Sequence, residues 1–175
     1  MTTARGIVQI YTGNGKGKTT AAVGQAVRAA GARKRVAFVQ FVKGGRPSSE
    51  LAVLERVGVQ VDRPAVRSTG LLGDGITNDD RSAAAEAWAI ARDAIGSGTF
   101  DLVVCDELCV AVAHGLVEEA EVLAVLDARP PALDLVLTGR GATDALLARA
   151  DLVTEMVARK HPYDAGVPAR LGIEF

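Results

Sequence analysis

The sequence predicts an α/β fold with a mostly parallel central sheet flanked by helices. Three observations carry that reading. Apolar, strand-like runs alternate with helical patterns along the chain. The runs are nearly continuous in apolar residues, as strands buried on both faces must be. The first run also breaks into a glycine-punctuated turn that feeds a helix. Strands are expected over residues 7–11, 36–41, 59–61, 102–105, 133–137 and 152–157.

The helices follow from spacing. Over residues 18–30, Val23, Ala26, Val27 and Ala30 recur at helical intervals, and Gly31 is a natural stop. Over 80–95, Ala84, Trp88, Ala91 and Ile95 form one apolar stripe, leaving Asp80, Arg81, Arg92 and Asp93 to face water. Trp88 is therefore read as a core or core-edge residue. Shorter helices are expected over 50–57, 118–127 and 143–150. The stretch 44–80 is less regular, with GGRPSSE and RPAVRSTGLLGDGITNDD. It reads equally as a substrate-binding loop or a mobile excursion.

A chain of 175 residues, 49% hydrophobic but only 4% aromatic, fits one domain spanning 1–175, with a core of Val, Leu, Ile and Ala. Twenty basic side chains against 21 acidic ones give a charge of -1, which speaks against an electrostatic nucleic-acid binder. The two cysteines, Cys105 and Cys109, fit neither a disulfide framework nor a zinc knuckle, and Cys105 reads as a buried, inert thiol. His114 and His161 have no accompanying ligand set, and His114 reads as a surface or packing residue. No apolar run approaches the ~18 residues of a membrane span, and the opening MTTARG is not of signal-peptide type. The expected location is the cytoplasm, with no membrane partner.

The chemistry gathers where strands end. Residues 7–20, IVQIYTGNGKGKTT, are built like a phosphate-binding loop between a buried strand and a helix. Backbone N–H groups of such a turn form an anion nest, and the helix start adds to it. Lys18 can reach the β and γ phosphates, and the Thr19 hydroxyl is placed for Mg²⁺. Thr12 stands where the common pattern has its first glycine, so the loop is a variant, kept supple by Gly13, Gly15 and Gly17. The alternative is an ordinary glycine-rich turn between strand and helix.

In DLVVCDE, residues 101–107, Asp106 can hold Mg²⁺ through water opposite Thr19, with Glu107 sharing that role, orienting water or positioning substrate. In LTGRGA, Arg140 sits between two glycines and can reach a phosphate chain with its fork of donors. Lys43 after the second strand, and Lys160, His161, Tyr163 and Asp164 in RKHPYDAG, are further candidates. These features indicate nucleotide-dependent phosphate chemistry. They leave open a kinase, an NTPase, or a transferase using the nucleoside end of ATP.

The order TGNGKGKTTAAVG, VQFVKG, DLVVCDEL, TGRGA, ADLVTEM, KHPYDAG and GIEF resembles the ATP:corrinoid adenosyltransferases over nearly the whole chain, most weakly between about 45 and 79. The resemblance implies a cytoplasmic homodimer of P-loop α/β fold. Such enzymes transfer the 5′-deoxyadenosyl group of ATP to the Co(I) of a reduced corrinoid and release triphosphate. It implies ATP and the corrinoid as partners, Mg²⁺ as cofactor, and a flavoprotein or other reductase as electron donor. It also implies that ATP lies along the loop in reverse of the usual direction, leaving C5′ open. By motif, Thr12, Gly13, Asn14, Gly15, Lys16, Gly17, Lys18, Thr19 and Thr20 would cradle the triphosphate with Arg140. Asp106 and Glu107 would lie at the metal and substrate edge, and Lys18, Glu107 and Arg140 would serve the reaction itself.

One segment departs from the family pattern. Where a G-x-G-F-T-W type stretch supplies aromatics against the corrinoid, this chain has Leu71 and Gly73. Phe41 and Tyr163 are the candidate substitutes. The competing readings are a P-loop kinase or NTPase with another acceptor, and a nucleotide-dependent corrinoid-binding protein with little turnover.

Overall fold

The structure, a computed structural model, describes residues 5–42, 48–64 and 75–174. Lys43, Leu71 and Gly73 lie outside the described residues. Strands β1 (Val8–Thr12), β2 (Val36–Gln40), β3 (Gln60–Asp62), β4 (Leu102–Asp106), β5 (Asp134–Thr138) and β6 (Leu152–Glu155) form one sheet in the order β3-β2-β4-β5-β1-β6. Every pairing is parallel, with β1 between β5 and β6 and β4 between β2 and β5. This is the expected fold class. Parallel neighbours require crossovers, and helices α1 (Lys18–Gly31), α2 (Leu51–Arg56), α3 (Asn78–Gly96), α4 (Leu108–Ala113), α5 (Glu119–Ala128) and α6 (Asp144–Arg149) are available for them.

The two faces of the sheet bury different layers. One holds Val8, Ile10, Val103, Cys105, Leu135 and Leu137 against α3 and its neighbours. The other holds Phe38, Val104 and Val136 against Ala22, Ala26 and Ala29 of α1. The alternation along β4, Val103 and Cys105 to one side and Leu102 and Val104 to the other, is the period-two geometry of a strand covered on both faces. Trp88 is in the core-edge position expected of it, 6% exposed, with its indole N–H donating to Glu121 Oε2 at 3.0 Å.

Several local expectations need correction. The buried face of α1 is Lys18, Ala22, Ala26 and Ala29, with Val23 and Ala30 partly buried against the same layer; of the expected stripe only Val27, 41% exposed, faces solvent. Asp80 does not face water. It is buried as the acidic member of a capping box with Thr77, accepting from the Thr77 N–H at 2.8 Å while its own N–H donates to Thr77 Oγ1 at 3.2 Å. Of the run at 152–157 only Leu152–Glu155 is strand, and it is an exposed edge strand, because among the described residues it pairs only with β1. Helix α4 was not expected. No helix among the described residues is long and apolar enough to cross a membrane.

Candidate functional site

In a parallel sheet ligands collect beyond the carboxyl ends of the strands. There the chain leaves β1 at Thr12, still in the ladder with Glu155 and accepting the Met156 N–H at 2.9 Å. The turn begins one residue later, at Gly13, with φ 94°. Thr12 therefore needs no glycine freedom, which is the physical meaning of the variant loop. A Cβ on Gly13 would come within 2.5 Å of the Met156 carbonyl oxygen. Gly17, with φ 120°, turns the chain into α1.

Lys18 is 7% exposed and curls back over its own loop, donating to the carbonyls of Gly13 and Gly15, each at 2.8 Å. Burial lowers its pKa; the Glu107 carboxylate opposes that, Arg140 reinforces it, and Asp106 opposes it more weakly. The same four charges thus share one neighbourhood. The Gly15 N–H donates to the Met156 carbonyl at 2.6 Å, and Lys16 Nζ donates to the Ile173 carbonyl at 2.8 Å with Glu174 3.7 Å away. The segment after β6 and the C-terminal residues therefore rest on the loop.

Facing the loop, Asp106 ends β4 fully buried. Its Oδ2 accepts from Gln40 Nε2 at 3.0 Å and Thr19 Oγ1 at 3.3 Å, and its Oδ1 accepts from Thr138 Oγ1 at 2.7 Å. Thr138 Oγ1 in turn accepts the Glu107 N–H at 2.9 Å. Glu107 stands at φ 66°, in the left-handed region that few non-glycine residues occupy. That turn ends β4 and starts α4, with Glu107 only partly buried.

Arg140 is exposed in the turn after β5, behind Gly139, whose absent side chain lets the turn close on α4: a Cβ there would lie 2.7 Å from Val110 N. Thus Lys18, Thr19, Asp106, Glu107 and Arg140 gather at one sheet edge. Asn14, Lys16 and Thr20 are exposed on the loop and first turn.

The other candidates fare unequally. Phe41 is 1% exposed in the core with Trp88 and Leu108, so it offers no ring face to a ligand. Its aromatic surface is spent on packing at the end of β2. Tyr163, by contrast, is 79% exposed in a 3-10 turn, Pro162–Ala165. His161 caps that turn, its Nδ1 accepting from the Tyr163 N–H at 3.2 Å, and Lys160 and Asp164 are exposed beside it. Among the described residues none of the four has a hydrogen bond or ion pair to the loop. Sequence reading missed Gln40 and Thr138, although each is a polar residue closing an apolar strand at the ligand edge.

The strand–turn–helix with a lysine folded over it, opposed by a buried strand-end aspartate, defines a P-loop protein. Within that class the chain belongs to the family described as ATP:corrinoid adenosyltransferase BtuR/CobO/CobP, which it matches over residues 4–175. It is 41% identical over 172 residues to the corrinoid adenosyltransferase of Escherichia coli, covering 98% of this chain and 86% of that protein. The corrinoid adenosyltransferase CobA of Salmonella typhimurium gives the same identity and coverage. That of Pseudomonas aeruginosa is 38% identical over 177 residues, covering 98% of this chain and 84% of the relative.

Proposed function

We propose that this site transfers the 5′-deoxyadenosyl group of ATP to the cobalt of a reduced corrinoid. The observation that carries the proposal is the gathering of Lys18, Thr19, Asp106, Glu107 and Arg140 at one sheet edge in a chain of this family. The Co(I) electron pair of the substrate forms a bond to ribose C5′. The C5′–O bond breaks, and its electrons leave with the triphosphate. The protein therefore supplies no covalent nucleophile. It must hold the polyphosphate, neutralise the charge that grows on it, and leave C5′ in line with the acceptor.

Lys18 supplies the first positive charge, moving from the Gly13 and Gly15 carbonyls to the phosphates. Arg140 supplies the second, with five donors on an exposed, rotatable arm. Amides of residues 13–20 cradle the chain, and Lys16 adds charge at the edge of the nest. Glu107, held on its left-handed turn, orients the substrate edge. Mg²⁺ fits the oxygen donors here: Thr19 and Asp106 would hold it, directly or through water, and it would offset phosphate charge. Among the described residues no group of three or more His, Cys, Asp or Glu side chains is arranged for a metal.

For the acceptor, Tyr163 is the exposed aromatic among the described residues, with Lys160, His161 and Asp164 near it in sequence, and Leu71, Gly73 and Lys43 complete the candidate set. A cytoplasmic homodimer and an external reductase are part of the proposal. Leu152 at 40% and Val153 at 45% exposure on the β6 edge support a second copy as partner. Light scattering that returned a monomer at working concentration would remove that element.

The test is anaerobic incubation of ATP, Mg²⁺ and chemically reduced corrinoid with the protein. The expected products are an alkylcobalt absorbance spectrum and inorganic triphosphate, the latter formed only when corrinoid is present. Release of ADP, with or without corrinoid, would replace this reading with a kinase or NTPase. Tight corrinoid binding without a cobalt–carbon bond would replace it with a binding protein.

A further inference from the structure

Gln40 is a buried polar side chain that the proposed reaction does not use. It closes β2 opposite Asp106 in the parallel ladder and is 2% exposed. Both ends of its amide are committed. Nε2 donates to Asp106 Oδ2 at 3.0 Å, and Oε1 accepts from Ser48 Oγ at 3.2 Å. The amide polarity is thereby set, since the reverse orientation would press Oε1 against a carboxylate. Ser48 lies just before α2, and its carbonyl accepts the Leu51 N–H at 3.3 Å.

Asp106 thus sits in a three-sided clamp. Thr138 holds Oδ1, Gln40 holds Oδ2, and Thr19, the hydroxyl that would turn toward a cation, shares Oδ2 at the longer 3.3 Å. When Thr19 turns away, Gln40 and Thr138 still hold the carboxylate in its plane. Partners of this kind orient the groups that contact a metal and tune their affinity for it.

We propose that Gln40, supported by Ser48, is a positioning residue that sets the affinity of the Asp106–Thr19 pair for a divalent cation in the nucleotide complex. This rests on the reading that Asp106 serves the metal edge. It predicts a defect in metal binding, separate from any loss of stability, and one that vanishes when Asp106 is neutralised.

The experiment measures, by electron paramagnetic resonance, the Mn²⁺ concentration that half-saturates the complex of full-length protein with ATP. Melting temperature is followed in parallel. Gln40→Met is expected to raise the half-saturating Mn²⁺ about tenfold, the usual scale for losing such a partner. Ser48→Ala should move it the same way by less. In an Asp106→Asn background Gln40→Met should add nothing further. Should the methionine variant fail to fold, Gln40→Asn, which retains an amide one methylene too short, takes its place with the same expected direction. A half-saturation within twofold of the parent for Gln40→Met, or an undiminished effect in the Asp106→Asn background, would overturn the inference. If Asp106→Asn itself leaves metal binding unchanged, the premise about Asp106 falls, and Gln40 falls with it for that distinguishable reason.

Discussion

Replacing Lys18 with alanine tests the phosphate site where its energetics are largest. In the present arrangement the ammonium donates to the Gly13 and Gly15 carbonyls at 2.8 Å and is nearly buried. Its burial lowers its pKa, so the charge is already held at a cost in the free protein. Contact with a phosphate oxygen recovers that cost. One unit charge about 4 Å from another, at the effective dielectric of a partly solvated protein site, interacts by ~4 kcal/mol. Because charge accumulates on the departing triphosphate, most of that is expressed in the transition state, and kcat/KM for ATP should fall about a thousandfold. The substitution also leaves two carbonyls without the ammonium, costing ~1–3 kcal/mol if both stay dry. Melting temperature must therefore be followed beside triphosphate release. Lys18→Arg keeps the charge but not its compact shape, and should recover only part of the rate. A folded Lys18→Ala protein within threefold of parental kcat/KM would refute the assignment of the loop. Since activity requires the charged form, the lowered pKa also places the alkaline limb of the pH–rate profile below the 10.5 of an ordinary lysine.

Thr138→Val, nearly isosteric, leaves Asp106 short of one donor and the Glu107 N–H without its acceptor. It should cost ~1–3 kcal/mol in urea unfolding and reduce turnover as well, whereas unchanged stability would show that the left-handed turn at Glu107 is held by other contacts. Leu71→Phe with Gly73→Trp should raise kcat/KM for corrinoids carrying a lower axial ligand relative to those without one; equal kinetics in a folded variant would show that missing aromatics do not limit this chain. Cys105 and Cys109 are buried, and burial pushes both thiols up to about 12. At neutral pH the native protein should therefore resist Ellman's reagent, and both thiols should react after denaturation. Rapid labelling of the native chain would show that this part of the core opens readily.

Legibility in the sequence followed physical signal strength. Strands β1, β2, β4 and β5 declare themselves because burial on both faces demands continuous apolar runs. Helix α4 does not, because LCVAVA after DLVVCDE has no polar face to mark a helical period; four of its six residues are buried. The left-handed Glu107 carries no glycine to announce it. In α1 the alanines satisfy more than one helical phase, so Val27 was as legible a core residue as Ala22 and Ala29, which are the ones buried beside Ala26. The run at 152–157 has the composition of a core strand but lies at an edge, a matter of sheet order that periodicity does not encode. Asp80 was recoverable: Thr77 and Asp80, three apart before an alanine-rich run, have capping-box spacing.

The same holds for the candidate site. Lys18, Thr19 and Asp106 were visible because a phosphate loop and an acid-terminated strand have spacing of their own. Gln40 and Thr138 were not, since one polar residue at the end of an apolar strand acquires meaning only once the register of β2, β4 and β5 sets it beside the acid. Phe41 shows the converse error, an aromatic chosen by type that the fold consumes in its core.

The most direct measurement follows one carbon. ATP labelled with ¹³C at the ribose 5′ position would be reacted anaerobically with reduced corrinoid and the protein, and carbon and phosphorus resonances read together. The label is expected to move to a cobalt-bound position while the phosphorus product is free triphosphate alone. A label that stays bonded to oxygen, with ADP as the phosphorus product, would contradict it.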